Sequence, residues 1–247
     1  MPDIHTHEDS GVLLIAFNRP DKKNAITVAM YRQLTEQLQQ AASDPAIAVV
    51  LFHGNEQAFS AGNDLGDFLA EPPSTPDAPV WQFLRALAAF PKPVVAAVCG
   101  VAVGIGSTLL LHCDLVHCAR DARFSLPFVN LGLCPEAASS LLLPRLFGYQ
   151  RAAEVLLLGE PFDALMAMQA GLVNRVLEPQ EVLESALAQA RKLAGKPLQA
   201  LIESKRLLKS VDQVAVQARI DEEAQVFARL LDSEAARQAI AGFGNRR

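Results

Sequence analysis

One feature of this sequence limits its fold more than any other. Short apolar runs alternate with helical repeats up to about residue 178, and strands then stop. Val12–Phe17, Ile47–Phe52, Val94–Val98, Leu115–Ala119 and Val173–Leu177 have strand length and are rich in β-branched residues. Between them, apolar residues recur at steps of three and four. Thr27 caps a helix carrying Tyr31, Leu34, Leu38 and Ala41, which Asp44-Pro45 stops. Further helices are expected over Trp81–Phe90, Gly104–Cys113, 136–147 and 149–158, and one capped by Asp163 ends at Gly171. Strands joined by helical crossovers predict an α/β fold. After Glu178-Pro179 only helical periodicity remains, through Val182, Ala186, Leu198, Leu201, Ile220, Phe227 and Leu231. Those apolar stripes need a surface to bury against, on the core or on another subunit.

Composition narrows the function. Hydrophobic residues make up 51% of the 247 and charged residues 20%, a balance that forms a packed core and rules out wholesale disorder. A net charge of −5 supplies no basic face, so nucleic acid is not an expected partner. Val94 to Leu111 is uncharged and long enough to span a bilayer, yet Gly100, Gly104 and Gly106 break it into strand, turn and helix, so no membrane segment is expected. The first ten residues, MPDIHTHEDS, lack the apolar stretch of a secretory signal, and His5 and His7 read as part of a frayed terminus. Cys99, Cys113, Cys118 and Cys134 sit among apolar residues, as small core residues of a reduced, cytoplasmic protein. The pairs His112-Cys113 and His117-Cys118 lack the CxxC spacing of a zinc site, so no metal is expected. Residues 70–79, AEPPSTPDAP, read as a surface loop.

Three segments could carry chemistry. Ser60-Ala61-Gly62-Asn63-Asp64-Leu65 follows a strand. Its small residues bring backbone close to a ligand, and a helix starting at Asp64-Leu65 would offer free N–H groups to an anion or a developing oxyanion. An ordinary strand-to-helix turn explains the same residues. Gly100 to Ser107 follows another strand and opens a helix, and it is neither a Walker A loop nor GxGxxG. It is a second candidate for backbone donors, although glycine also serves close helix packing. Glu136 lies in a long apolar stretch, where its charged form is disfavoured and a proton-transfer role near neutral pH is favoured. The competing reading makes it a helix N-terminal glutamate behind Pro135. A nucleophile triad has little support, since GxSxG is absent and the histidines read as structural.

Taken together, these motifs resemble the crotonase, or enoyl-CoA hydratase/isomerase, superfamily over nearly the whole chain. The likeness rests on Asn18-Arg19-Pro20 with Asn24-Ala25-Ile26, on Phe59 to Leu65, on Lys92-Pro93-Val94-Val95-Ala96-Ala97-Val98 with Gly100-x-Ala102-x-Gly104, and on Cys113-Asp114 and Ala170-Gly171-Leu172-Val173. It implies a superhelix of ββα units over residues 1–190, and a C-terminal helical region over 191–247 that builds a homotrimer or a hexamer of paired trimers. It also implies an acyl-CoA thioester substrate, with coenzyme A as part of the substrate and no separate cofactor. The N–H groups of Asn63 and Ile105 would form the oxyanion hole. Relatives usually have glycine at the second of these positions, and Ile105 keeps the N–H but adds a branched side chain. CoA would lie near Lys22, Lys23, Ala25, Ala61, Gly62, Asp64 and Leu65.

Departures from the family pattern narrow the reaction. Hydratases of this family place glutamates where this chain has Thr108 and Phe128, which here become acyl-pocket residues. Asn130 to Ser140 instead resembles the Δ3,Δ2-enoyl-CoA isomerase branch, in which one glutamate at the position of Glu136 moves the proton. The expected function is therefore a shift of the double bond of a 3-enoyl-CoA to the trans-2 position. Two alternatives stay open: a hydratase or other CoA-thioester enzyme using Glu136 alone, and a non-catalytic acyl-CoA-binding or scaffold protein.

Overall fold

The computed structural model describes residues 2–244, so residue 1 of the expected core and residues 245–247 of the expected tail lie outside the described residues. The chain opens with β1 (Ile4–Asp9) and β2 (Val12–Phe17), followed by α1 (Val28–Ser43). Three windings come next, each laying one strand in a large sheet and the next in a small one before a helix. They are β3 (Val49–His53), β4 (Ala58–Ser60), α2 (Leu65–Ala70) and α3 (Pro79–Ala89); β5 (Val94–Val98), β6 (Val101–Val103) and α4 (Ile105–Thr108); and β7 (Leu115–Ala119), β8 (Arg123–Ser125) and α5 (Ser139–Phe147). After α6 (Tyr149–Ala153) come β9 (Phe162–Asp163), α7 (Ala164–Gln169) and β10 (Arg175–Leu177). The helices α8 (Pro179–Ala194), α9 (Leu198–Lys209), α10 (Gln213–Leu231) and α11 (Glu234–Gly244) complete the described chain. This is the expected α/β superhelix of ββα units.

The large sheet runs β1-β2-β3-β5-β7-β10 and the small one β4-β6-β8-β9. All pairings are parallel except β1 with β2 and β8 with β9. Val49–Phe52 and Val94–Val98 are buried on both faces, which explains why they read as unbroken apolar runs. Gly100 makes the corner between β5 and β6. Its φ is +63°, and a Cβ there would stand 1.8 Å from the Gln57 carbonyl oxygen, so only glycine fits.

Two buried lysines tie helices to this core. Lys92 Nζ donates to the carbonyls of Ala41, Asp44 and Ile47 at 2.6, 2.6 and 2.7 Å, which satisfies the C-terminal end of α1. Lys205 on α9 donates to Lys92 O and to Asp114, both at 2.7 Å, and Asp114 accepts the Val94 N–H. The C-terminal helices fold back over the core. Phe227 on α10 packs edge-on against Phe68 and Trp81, at ring-centroid distances of 5.8 and 5.5 Å. Residue 190, where the expected division falls, lies inside α8. No described helix is long and apolar enough to cross a membrane.

Several expectations about elements need correction. His5 and His7 are not frayed: they lie in β1, paired residue for residue with β2. The helix expected from residue 136 starts at Ser139. That expected over Gly104–Cys113 is α-helical only to Thr108 and continues as a 3-10 turn to His112. That over 149–158 becomes a π-helix from Glu154. The proline-rich loop is shorter than expected, because Ala70 closes α2 and Pro79 opens α3. The last strand holds only Arg175–Leu177.

Candidate active site

The parallel strands β4, β6 and β8 end side by side, and the segments that follow them wall one apolar cavity. Ala61, Gly62, Asn63 and Leu65 come from beyond β4, Val103 and Gly104 from the end of β6, and Pro127, Phe128, Leu131 and Leu133 from beyond β8. Phe68 and Phe227 close it.

The backbone at Asn63 is aimed by its neighbours. Ile26 donates to Gly62 O at 2.8 Å and accepts from Asp64 N–H at 2.9 Å, which forms a parallel bridge opposite Asn63. In that pattern the N–H of Asn63 itself points away from Ile26. Gly62, at φ +87°, lets the chain turn against β6, where a Cβ would meet Val103 O at 2.8 Å. Ile105 is the first residue of α4, behind Gly104 at φ +53°, so helix geometry leaves its N–H without an internal acceptor. Among the described residues, neither N–H has a protein acceptor. The Ile105 side chain is buried in the core and does not line the cavity.

The residues expected to hold CoA gather along one edge. Arg19 clips them together, donating to Ala25 O at 2.6 Å and pairing with Asp64 at 3.0 Å. Ala61 N–H donates to Lys23 O at 2.9 Å. Lys22 and Lys23 are exposed, whereas Ala25 is buried. The Asp64 carboxylate is already engaged, capping α2 through the N–H groups of Gly66 and Asp67.

Glu136 is 2% exposed. Thr108 Oγ1 donates to its Oε1 at 2.5 Å, and Oε2 is buried with no partner among the described residues. Burial pushes its carboxyl up to about 8, against the opposing Thr108 hydrogen bond, with the charge of Glu223 adding to the rise. A buried acceptor left open is uncommon, and among the described residues the only other buried side-chain polar atom without a partner is His117 Nδ1. Tyr31 stands nearby. Its hydroxyl donates to Asn63 Oδ1 at 2.6 Å, and burial, then the Glu136 charge, raise its phenol well above the usual range. Of the two residues expected in the acyl pocket, Phe128 is cavity wall, whereas Thr108 does not line the cavity. Thr108 is fully buried and its hydroxyl is taken up by the Glu136 carboxyl group, which is not part of the cavity lining either.

Glu136 is not on a helix. Ser139 N–H and Oγ both donate to its carbonyl, at 3.0 and 2.6 Å, closing a turn whose central residues Ala137 and Ala138 have φ of +62° and +55°. That is a type I′ turn, which ordinarily takes glycine or asparagine. An alanine in the left-handed region costs roughly 1–2 kcal/mol. His112 and Glu223 both hydrogen-bond to the turn. His112 Nε2 lies 2.8 Å from Ala137 O, and burial lowers the imidazole to about 4, so the neutral ring donates there. Glu223 accepts from Ala138 N–H at 2.6 Å. Sequence reading singled out neither Tyr31 nor Glu223, which lie 32 residues from Asn63 and 85 from Ala138 along the chain. No local motif signals either contact.

Comparisons with known proteins identify the family. The family model described as enoyl-CoA hydratase/isomerase matches residues 7–247. The chain is 37% identical to a 2,3-dehydroadipyl-CoA hydratase of Escherichia coli K12, over 100% of this chain and 97% of that protein. It is 35% identical to the enoyl-CoA delta isomerase 2 of Rattus norvegicus, over 97% of this chain and 62% of that longer protein. The solved structure of Pseudomonas aeruginosa OdaA superposes with a TM-score of 0.96 at 47% identity, covering 98% of this chain and 99% of that one. The chain belongs to the enoyl-CoA hydratase/isomerase family.

Proposed function

We propose that this protein is a Δ3,Δ2-enoyl-CoA isomerase in which Glu136 moves the proton. The observation that carries the reading is the buried Glu136 carboxyl group, which has one oxygen unpartnered among the described residues and is bonded to Thr108 on the helix that Ile105 opens. The ionised Glu136 removes a proton from C2 of a 3-enoyl-CoA. The charge spreads into a dienolate whose oxygen accepts hydrogen bonds from the N–H groups of Asn63 and Ile105. The carboxylic acid so formed returns the proton at C4 and yields the trans-2-enoyl-CoA. One carboxyl group suffices, because the atoms balance without water or a redox partner. A base raised to about 8 matches the task, since proton abstraction is best served by a group poised near working pH. Donors aimed at the oxyanion typically lower such barriers by about 3–4 kcal/mol each.

The CoA moiety lies along the edge formed by Lys22, Lys23, Ala25, Ala61, Gly62, Asp64 and Leu65, with Asp64 shaping the turn. Phe128 and its apolar neighbours wall the acyl chain and keep the dienolate dry. No separate cofactor is required. Hydration is the second reading, favoured by the name of the Escherichia coli relative. Parallel assays of 3-enoyl-CoA isomerisation and 2-enoyl-CoA hydration separate the two. Isomerisation is expected to dominate, and hydration at matching or greater rates would overturn the assignment.

The tail supports a homotrimer or a dimer of trimers. Leu207, Leu208, Val211 and Val214, on α9, the loop after it and α10, are 62–89% exposed, a run of apolar side chains that a second copy would cover. Sedimentation at micromolar concentration should give three or six times the 26.6 kDa chain, and a stable monomer would refute this assembly.

A further inference from the structure

We propose that Glu223, on α10 of the C-terminal tail, is a positioning residue that sets where the Glu136 carboxyl group stands. The inference rests on the reading of Glu136 as the proton carrier and adds a residue that never touches substrate.

Glu223 spans the junction between the type I′ turn and α5. Its Oε2 accepts from Ala138 N–H at 2.6 Å, and its Oε1 accepts from Ser140 N–H at 3.0 Å and Ser140 Oγ at 2.6 Å. Arg219, one turn earlier on α10, donates to the same Ser140 hydroxyl at 3.1 Å. The three bonds to Glu223 all come from donors and favour the ionised carboxylate, against the burial that raises its carboxyl. Ala138 caps α5 with left-handed backbone and no side-chain oxygen of its own, and Glu223 supplies the missing acceptor from a distant part of the chain. With 5% of its surface exposed, it makes these bonds away from water, where they are strongest.

Two strained alanines directly after Glu136 would relax toward ordinary backbone if released. Relaxation would rotate the peptide that leaves Glu136 and swing its carboxyl group away from Thr108. The known requirement of catalysis is placement to within a fraction of an ångström, and a shift of about 1 Å can cost on the order of a hundredfold in rate. Glu223 thus couples the packing of the tail to the geometry of proton transfer.

The test compares Glu223→Gln with Glu136→Gln in the full-length protein. The glutamine keeps the shape, but whichever way its amide turns, its NH₂ faces either the Ala138 N–H or the Ser140 N–H, so one backbone bond is replaced by two opposed donors. In Glu223→Gln, kcat for 3-enoyl-CoA isomerisation should fall about ten- to hundredfold while KM changes less than about threefold. Glycine adopts left-handed backbone freely, so Glu223→Gln combined with Ala138→Gly should recover most of the lost kcat. A Glu223 that served stability alone would lower the melting temperature without the selective fall in kcat at nearly constant KM. Glu223→Gln with kcat within twofold of the parent, beside an inactive Glu136→Gln, overturns the positioning role alone. An active Glu136→Gln overturns the underlying mechanism and this proposal with it. If Glu223→Gln does not fold, Glu223→Asp replaces it, and unchanged kcat in that shortened variant also counts against the proposal.

Discussion

Glu136→Gln should lose about 10²–10⁴-fold in isomerase turnover, the usual contribution of a positioned acid–base group. Glutamine is the informative substitution because it keeps an oxygen for the Thr108 hydroxyl and fills the same space, yet it cannot accept a proton from carbon. Binding should survive, since the CoA edge and the candidate oxyanion donors are backbone or remote side chains. Calorimetric titration with a saturated acyl-CoA, which binds without reacting, should give a Kd close to that of the parent. Turnover in Glu136→Gln within tenfold of the parent would remove Glu136 from the chemistry.

The same substitution should stabilise the protein at alkaline pH. In the folded chain burial raises the Glu136 carboxyl from its ordinary 4.5 to about 8. The native state therefore binds a proton that the unfolded chain has already released, and stability falls as pH climbs between those two values. Below about 4.5 both states are protonated and there is no penalty; above about 8 it is complete. Glutamine mimics the protonated acid at every pH. Melting temperatures of parent and Glu136→Gln should nearly coincide at pH 5, diverge through neutrality, and differ most near pH 9, with the variant higher. The kcat/KM of the parent should move the opposite way and rise with pH to a plateau above about 8, because the ionised base does the work. A melting-temperature gap that is flat across this range would contradict the buried, proton-holding carboxyl group.

These expectations combine residues that are legible in the sequence with others that are not. The strands of the large sheet announce themselves because Val49–Phe52 and Val94–Val98 are buried on both faces and admit almost nothing polar. The strand β1 hides because only Ile4 of its six residues is buried, so it carries no apolar pattern. The small sheet hides for a different reason: strands of two or three residues are too short to show alternation. Glu136 stands out by its apolar surroundings, but the turn that holds it contradicts local propensity. Alanine-alanine reads as helix, and only the tertiary contacts from His112 and Glu223 force it into the left-handed region. Tyr31 reads as one apolar position of α1, and nothing in its spacing shows that the hydroxyl reaches Asn63.

The row of strand ends at β4, β6 and β8 carries an implication for how such an enzyme diversifies. Under the proposed mechanism, the first two ends supply the grip on the thioester oxygen, and the third leads into the segment that holds the proton carrier. Gripping the carbonyl and choosing what happens to the neighbouring carbons are thus assigned to separate stretches of chain, joined through short neighbouring strands and the contacts of Thr108 and His112 with the Glu136 turn. Exchanging residues 126–138 for the corresponding stretch of a relative should change the reaction while leaving thioester activation intact. A scaffold divided in this way can acquire a new chemistry by editing one loop, without rebuilding the machinery that makes the substrate reactive.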